Sequence, residues 1–283
     1  MKVTVAKRAG FCFGVKRAVD IAFDMASKRD GVCTLGPIIH NPQVVERLAE
    51  KGLRCVTEPE PGIKSLIIRT HGVPLDMYEK ISTTGLEIVD ATCPFVKKAQ
   101  QYAKLLREEN YQVIVLGDRD HPEVKSIMSY AGTDAVVLKE GEMPGKLKMK
   151  VGVVVQTTQP VSALEKLLSN IVDKVKELKV FNTICNSTAL RLKETSEISS
   201  QVDVMIIAGG KNSANTTQLA NHCRVLDVKT HHIETSDELI PEWFDGVKHV
   251  GITAGASTPD WIISEIVERI NHIGGITGNG ITE

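Results

Sequence analysis

Val113-Ile114-Val115-Leu116-Gly117 is a β-branched apolar run closed by a glycine that stands 24 residues after Cys93, with His121 falling 28 residues after the same cysteine. The spacing occurs twice more. Cys12 is followed at the same distances by Gly36 and His40, and Cys185 by Gly209 and Ser213. The residues before these glycines, Val32-Cys33-Thr34-Leu35 and Met205-Ile206-Ile207-Ala208, are again strand-like. The chain therefore reads as three copies of one unit, each offering a thiol and a polar group from equivalent loops. Set about a pseudo-threefold axis, such copies could bring three thiols to one metal.

Working outward, short β-branched runs alternate with helical patterns, which indicates an α/β fold of three similar small domains with mainly parallel sheets. Strands are expected at 3–6, 32–35, 66–69, 86–89, 113–116, 135–138, 151–155, 180–183, 204–208, 224–228 and 250–253. Helices are expected at 15–26, 43–51, 97–109, 123–130, 162–177, 189–199, 217–223 and 260–272. The units are placed at 1–92, 93–184 and 185–275, with 276–283 as a flexible tail. Cys12 follows the first strand so closely that this strand could complete the sheet of the last unit.

With 283 residues, 42% apolar and 24% charged, the chain can bury substantial cores. A net charge of −1 and only 4% aromatic residues argue against a nucleic-acid or membrane-surface binder. No apolar stretch approaches the roughly 18 residues a membrane span needs, and the N-terminus lacks a signal-peptide pattern. Six cysteines in that context point to a reducing cytoplasm, where thiols serve metals, catalysis or packing. The expected state is a monomer, since no long amphipathic stretch is left over.

In parallel α/β sheets, ligands bind beyond the carboxyl ends of strands, where helix N-termini also point. The loops expected there are 37–42, 69–74, 118–123, 156–160, 209–216 and 254–259. They carry His40, His71, His121, Glu123, Thr157, Ser213, Asn215 and Ser257. Hydroxyls, amides and protonatable imidazoles at helix starts make a cradle for phosphate. Ser, Thr and Asn there also serve as ordinary N-caps, but three of the eight histidines in such loops favour a site.

Cys12, Cys93 and Cys185 each end a strand and begin a helix, where the helix dipole favours a thiolate. Cys33, Cys55 and Cys223 read instead as small buried hydrophobes. Three thiolates suit zinc or an iron–sulfur cluster, and spacing alone favours neither. Lys16, Arg17, Lys97 and Lys98 lie just after cysteines and could form a docking rim, although a solvated basic helix face is the preferred reading. No dinucleotide or Walker-type loop is present, so a nicotinamide cofactor is not expected.

Gly10-Phe11-Cys12-Phe13-Gly14-Val15, Asp90-Ala91-Thr92-Cys93-Pro94, His121-Pro122-Glu123-Val124, Gln156-Thr157-Thr158, Thr183-Ile184-Cys185 and Ala254-Gly255-Ala256-Ser257 resemble the signature segments of one family. It is the LytB family of 4-hydroxy-3-methylbut-2-enyl diphosphate reductases, which act last in the non-mevalonate isoprenoid pathway. The resemblance runs from about Lys2 to Gly275. It implies a trefoil of three domains around a central 4Fe–4S cluster held by Cys12, Cys93 and Cys185, with one iron open to substrate. It also implies reductive removal of water from an allylic diphosphate, with ferredoxin or flavodoxin as electron donor. Glu123 matches the proton donor; His40, His71, His121, Thr157, Ser213, Asn215 and Ser257 match substrate contacts. Ala214 replaces a serine common in the family, leaving its backbone N–H at that position, and Thr188 matches a position near the cluster. The competing expectations are a zinc-dependent phosphohydrolase with a three-cysteine site and a non-catalytic phosphoanion-binding protein.

Overall fold

The computed structural model describes residues 1–39, 41–211 and 213–275. His40 and the expected tail at 276–283 lie outside the described residues. The chain opens with β1 (Lys2–Val5) and α1 (Phe13–Lys28). A first group follows: β2 (Val32–Leu35), α2 (Pro42–Glu50), β3 (Arg54–Val56), β4 (Ser65–Ile68), α3 (Leu75–Ser82) and β5 (Glu87–Asp90). The second is α4 (Pro94–Glu108), β6 (Gln112–Leu116), α5 (Pro122–Ala131), β7 (Val136–Leu138), β8 (Lys150–Val155), α6 (Val161–Ile171) and β9 (Glu177–Phe181). The third is α7 (Ser187–Ser199), β10 (Val204–Ala208), α8 (Ala214–Val225), β11 (Lys229–Ile233), β12 (His249–Ala254) and α9 (Asp260–Ile273), with short 3-10 turns between β11 and β12.

These strands form three four-stranded sheets, β5-β4-β2-β3, β9-β8-β6-β7 and β1-β12-β10-β11. Every pair is parallel. The strand order is the same in all three once β1 is taken as the fourth strand of the last sheet. Val3 stands opposite Val250 and Val5 opposite Ile252 in that pairing. The repetition extends to single hydrogen bonds. Gly36, Gly117 and Gly209, each just past the first strand of its sheet, donate their amides to the last residue of the second strand, Val56, Leu138 and Ile233, at 2.8, 2.9 and 2.9 Å.

Burial on both faces explains the unbroken apolar strands. Val204, Ile206 and Ala208 of β10 pack with Ile262, Ile266 and Ile270 of α9, while Met205 and Ile207 pack on the other side with Leu219 and Ala220 of α8. In β6, Val113 and Val115 face Ala103 and Ile127, whereas Ile114 and Leu116 face Leu164 and Leu167 of α6. Each fully buried Ile or Leu of this kind contributes about 1.5–3 kcal/mol.

By packing, the chain separates into two compact units. One comprises Met1–Lys16, His40–Val44 and Asn186–Glu283 and holds the β1-β12-β10-β11 sheet; the other comprises Arg17–Ile39 and Val45–Cys185 and holds the other two sheets. Three elements depart from the sequence expectation. Residues 224–228 are not a strand: α8 runs through Val225, the chain turns at Asp227 with φ 58°, and β11 begins at Lys229. That strand, Lys-Thr-His-His-Ile, is polar, and His231 stacks on Trp243 with ring centroids 3.7 Å apart. The three-residue strand β3 and the eight-residue helix α3 carry too little periodicity to be read locally.

Gly209 tests how tightly one copy is built. Its φ is +135°, and a Cβ there would lie 2.5 Å from Thr258 Oγ1. Gly209→Ala should destabilise the protein by about 1–3 kcal/mol in urea titrations. Gly52→Ala, at φ +82° in open space, should cost about 1 kcal/mol; equal losses would show that backbone strain alone matters.

Candidate functional site

Each of the three cysteines sits where the chain leaves one sheet for the next. Cys12 follows β1, Cys93 follows β5 and Cys185 follows β9, and all three of these strands are sheet edges. Their amides make equivalent bonds. Cys93 donates to Thr70 O at 2.9 Å, Cys185 to Thr157 O at 2.8 Å and Cys12 to Ala256 O at 3.3 Å. Thr70, Thr157 and Ala256 each lie two residues past the third strand of their sheet. Cys93 is the N-cap residue of α4, and its carbonyl accepts the Lys97 amide; Cys12 O likewise accepts from Lys16 at the start of α1. All three thiol residues are half-buried. Cys93 and Cys185 belong to one compact unit and Cys12 to the other. Among the described residues, no three His, Cys, Asp or Glu side chains are grouped as a metal site.

Within the second unit, the loops after β6 and β8 build an acidic centre. Glu123, in the first turn of α5, is only 2% exposed. One carboxylate oxygen accepts the Thr157 N–H at 2.6 Å and the other the Thr157 hydroxyl at 2.9 Å. Burial pushes the acid up to about 6, against the opposing pull of those two bonds. His121 caps the same helix, its Nδ1 accepting the Glu123 amide at 3.2 Å. The neutral ring therefore carries its proton on Nε2. His71, from the loop after β4, meets His121 edge to face with centroids 5.2 Å apart.

His71 is aimed by its neighbours. Gly72 has φ +69°, and a Cβ there would lie 2.6 Å from Gln100 Nε2. Gln100 donates to Ser126 Oγ at 2.6 Å, and Ser126 donates to Val73 O at 2.8 Å. Ser126 is one turn beyond Glu123 on α5, so one helix presents the acid and fixes the histidine loop.

In the first unit, Ser213 caps α8, its hydroxyl accepting the Thr216 amide at 3.4 Å. Asn215 lies in the first turn of that helix, and Ala214 begins it. The Ser257 carbonyl accepts Asn41 Nδ2 at 3.0 Å, which joins the loop after β12 to the start of α2. Ser213 and Ser257 follow β10 and β12, which are neighbours; His121 and Thr157 follow β6 and β8, also neighbours. In each sheet these strands flank the switch in strand order, the usual ligand crevice.

The sequence-expected residues thus resolve into two described groups. Glu123, His121, Thr157 and His71 are brought together. Ser213, Asn215 and Ser257 lie at the strand ends of the other unit, and His40 is outside the described residues. Thr188 is the second residue of α7. Cys55 is exposed rather than buried, because β3 is an edge strand that turns this side chain outward. Cys33 and Cys223 are buried, and burial raises both thiols. The basic residues after the cysteines are partly engaged: Lys97 pairs with Asp90 at 2.5 Å, and Arg17 donates to the carbonyls of Asp90 and Thr92. Asn41, Gln100 and Ser126, which tie these loops together, are not among the sequence-expected residues. Only Asn41, in a polar loop, carried a sequence signal.

Fold and site together define a parallel α/β protein with a threefold-repeated sheet and polar strand-end loops around a buried acid. The chain belongs to the LytB protein family, which matches residues 3–271. It is 51% identical over 276 residues to the 4-hydroxy-3-methylbut-2-enyl diphosphate reductase of Pelobacter propionicus, covering 96% of this chain and 99% of the relative. It is 50% identical over 273 residues to the reductase of the same name in Geobacter sulfurreducens, covering 95% and 97%. A solved structure of (E)-4-hydroxy-3-methyl-but-2-enyl diphosphate reductase, the terminal enzyme of the non-mevalonate pathway, superposes with a TM-score of 0.82 at 44% identity over 96% of this chain and all of that one. The Plasmodium falciparum reductase structure shares the fold, with a TM-score of 0.81 at 23% identity over 95% of this chain and 88% of that one. Among the described residues no helix is long and apolar enough to cross a membrane.

The raised Glu123 acid has a stability consequence. Its folded value of about 6 exceeds the ordinary 4.5, so the ionised form is disfavoured in the native state and the cost is present above pH 6 and absent below 4.5. Denaturation at pH 4.5 and 7.5 should show Glu123→Gln gaining about 2 kcal/mol on the parent across that range. A gap that stays constant would mean the carboxylate is not desolvated.

Proposed function

We propose that this chain is a 4-hydroxy-3-methylbut-2-enyl diphosphate reductase, converting its allylic substrate to isopentenyl and dimethylallyl diphosphate with loss of water. The observation that carries this reading is Glu123: a buried carboxylic acid, raised toward neutrality and locked by Thr157, beside two histidines in the unit that also holds Cys93 and Cys185. Expelling hydroxide from carbon needs a proton at the leaving oxygen, and an acid with a value near 6 is suited to deliver one at physiological pH.

The donor set fits a sulfur-bound cluster. Three thiol residues at equivalent positions, each with its amide tied to the same point of its sheet, favour soft metal chemistry over oxygen-ligand ions. Cys12, Cys93 and Cys185 would hold one 4Fe–4S cluster. When bound, that group supplies electrons and, at the iron without a protein ligand, a Lewis acid.

The chain's own residues do the rest. Thr157 holds Glu123 for proton delivery and presents its hydroxyl to the same locality. His40, His71, Ser213, Asn215 and Ser257, with the Ala214 amide at the start of α8, bind the diphosphate through short donors and a helix N-terminus. His121 Nε2–H adds a donor beside the acid. Electrons come from an external ferredoxin or flavodoxin, and the chain acts as a cytoplasmic monomer.

Anaerobically purified protein should be brown and should reduce the substrate. Serine at position 12, 93 or 185 should abolish both properties, whereas Cys33→Ser and Cys223→Ser should keep them. Glu123→Gln should retain colour and substrate affinity while kcat falls by about 10²–10⁴. In the parent, kcat should decline tenfold per pH unit above the value of Glu123 in the substrate complex. A colourless protein with stoichiometric zinc would replace this reading with a hydrolase, and a metal-free one with a phosphoanion-binding protein.

A further inference from the structure

Arg191 lies on α7, the helix that starts two residues after Cys185, and only 4% of it is exposed. Its Nη1 donates to the carbonyls of Arg8 and Ala254, the latter at 2.7 Å, and its Nη2 to Gly10 O at 3.0 Å. One turn further on, the Glu194 carboxylate accepts the amides of Lys7 and Arg8 at 2.8 and 2.9 Å. Residues 7–10 lead directly from β1 to Cys12. A single helix therefore grips that loop through its donors and its acceptors alike. All these groups lie in one compact unit.

The third acceptor extends the grip. Ala254 is the last residue of β12; two residues later Ala256 takes the Cys12 amide, and the next carbonyl, of Ser257, takes Asn41. The guanidinium is thus shared by the Cys12 loop and the Ser257 loop. Burying a guanidinium against neutral carbonyls carries a desolvation cost that a leucine or methionine filling the same space would avoid. Burial pulls the group below the ordinary arginine range, with Cys12 and Glu194 opposing that pull. A planar fork with several fixed donors is what can tie carbonyls of two separate segments at once.

We propose that Arg191 is a positioning residue that locks the Cys12 loop and the 254–257 loop into one body, so that a cluster thiol and a diphosphate-binding group keep a fixed spacing. The assignment rests on the roles of Cys12 and Ser257 given above. It predicts that cluster retention and anion affinity fail together when the fork is lost, because the fork's donors are spent on the carbonyls of both loops.

Arg191→Met and Arg191→Lys are compared with the parent by amide exchange at Cys12, iron per chain and affinity for inorganic pyrophosphate. In the Met variant, exchange at the Cys12 amide should accelerate about tenfold or more, with iron roughly halved and pyrophosphate bound about fivefold more weakly. Lysine, a charged point donor without the fork, should give intermediate values on all three. A merely space-filling role would lower the melting temperature while leaving exchange at Cys12 and pyrophosphate affinity at parental values in the folded protein. That result overturns the proposal, and it is read in the Lys variant if the Met variant does not fold. A parent that binds no iron would sink the cluster reading instead, while exchange and pyrophosphate affinity still judge the clasp.

Discussion

One backbone hydrogen bond, made three times, governs the placement of the chemistry. The amides of Cys12, Cys93 and Cys185 each donate to the carbonyl two residues beyond the third strand of their sheet. The bond joins the end of an edge strand to the loop after its neighbour, so the thiol and that loop share one frame. Without it, a half-buried cysteine at a strand-to-helix junction would carry an amide with no ladder partner. The same loops bear His71, Thr157 and Ser257. The geometry of the thiol and of the polar group two sequence regions away is therefore set by a single contact.

That contact depends in turn on how the sheets are closed. β1 is the first strand in the chain and the fourth in its sheet, lying against β12 from Lys2 opposite His249 to Val5 opposite Ile252. The pairing brings Cys12 to the same place in its sheet as Cys93 and Cys185 occupy in theirs. It also explains why packing gathers residues 1–16 with the last third of the chain. The price is a pairing between residues nearly 250 positions apart, whose closure carries an entropic cost.

Much of this was legible because the repeat lies in residues that a sequence displays directly. The glycines at 36, 117 and 209 mark a backbone need: each amide closes onto the second strand, and Gly209 has no room for a Cβ. The runs before them are apolar on both faces because helices cover both faces. What escaped notice was set by distant partners. β11 is polar in sequence and gains its strand from β10 and its cover from Trp243. Arg191 looks like any helical arginine until carbonyls more than 180 residues away converge on it. Cys55 failed in the other direction, since membership of an edge strand cannot be read from three residues.

Repetition supplies positions, and divergence at one of them supplies direction. Six residues past the repeated turn glycines stand Pro42, Glu123 and Asn215, all at the start of a helix. Proline contributes only a preset φ. Asparagine offers a neutral amide, where a carboxylate would carry the same sign as the phosphate this loop is proposed to bind. Glutamate alone can store a proton; burial raises its acid toward neutrality, while the two Thr157 bonds fix the carboxyl in place and pull the other way. A buried acid at every copy would add a desolvation cost each time and leave the delivery point undefined. Confining it to one copy lets a repeated scaffold serve the proposed reaction, which breaks one bond and, in the role proposed for Glu123, protonates one oxygen.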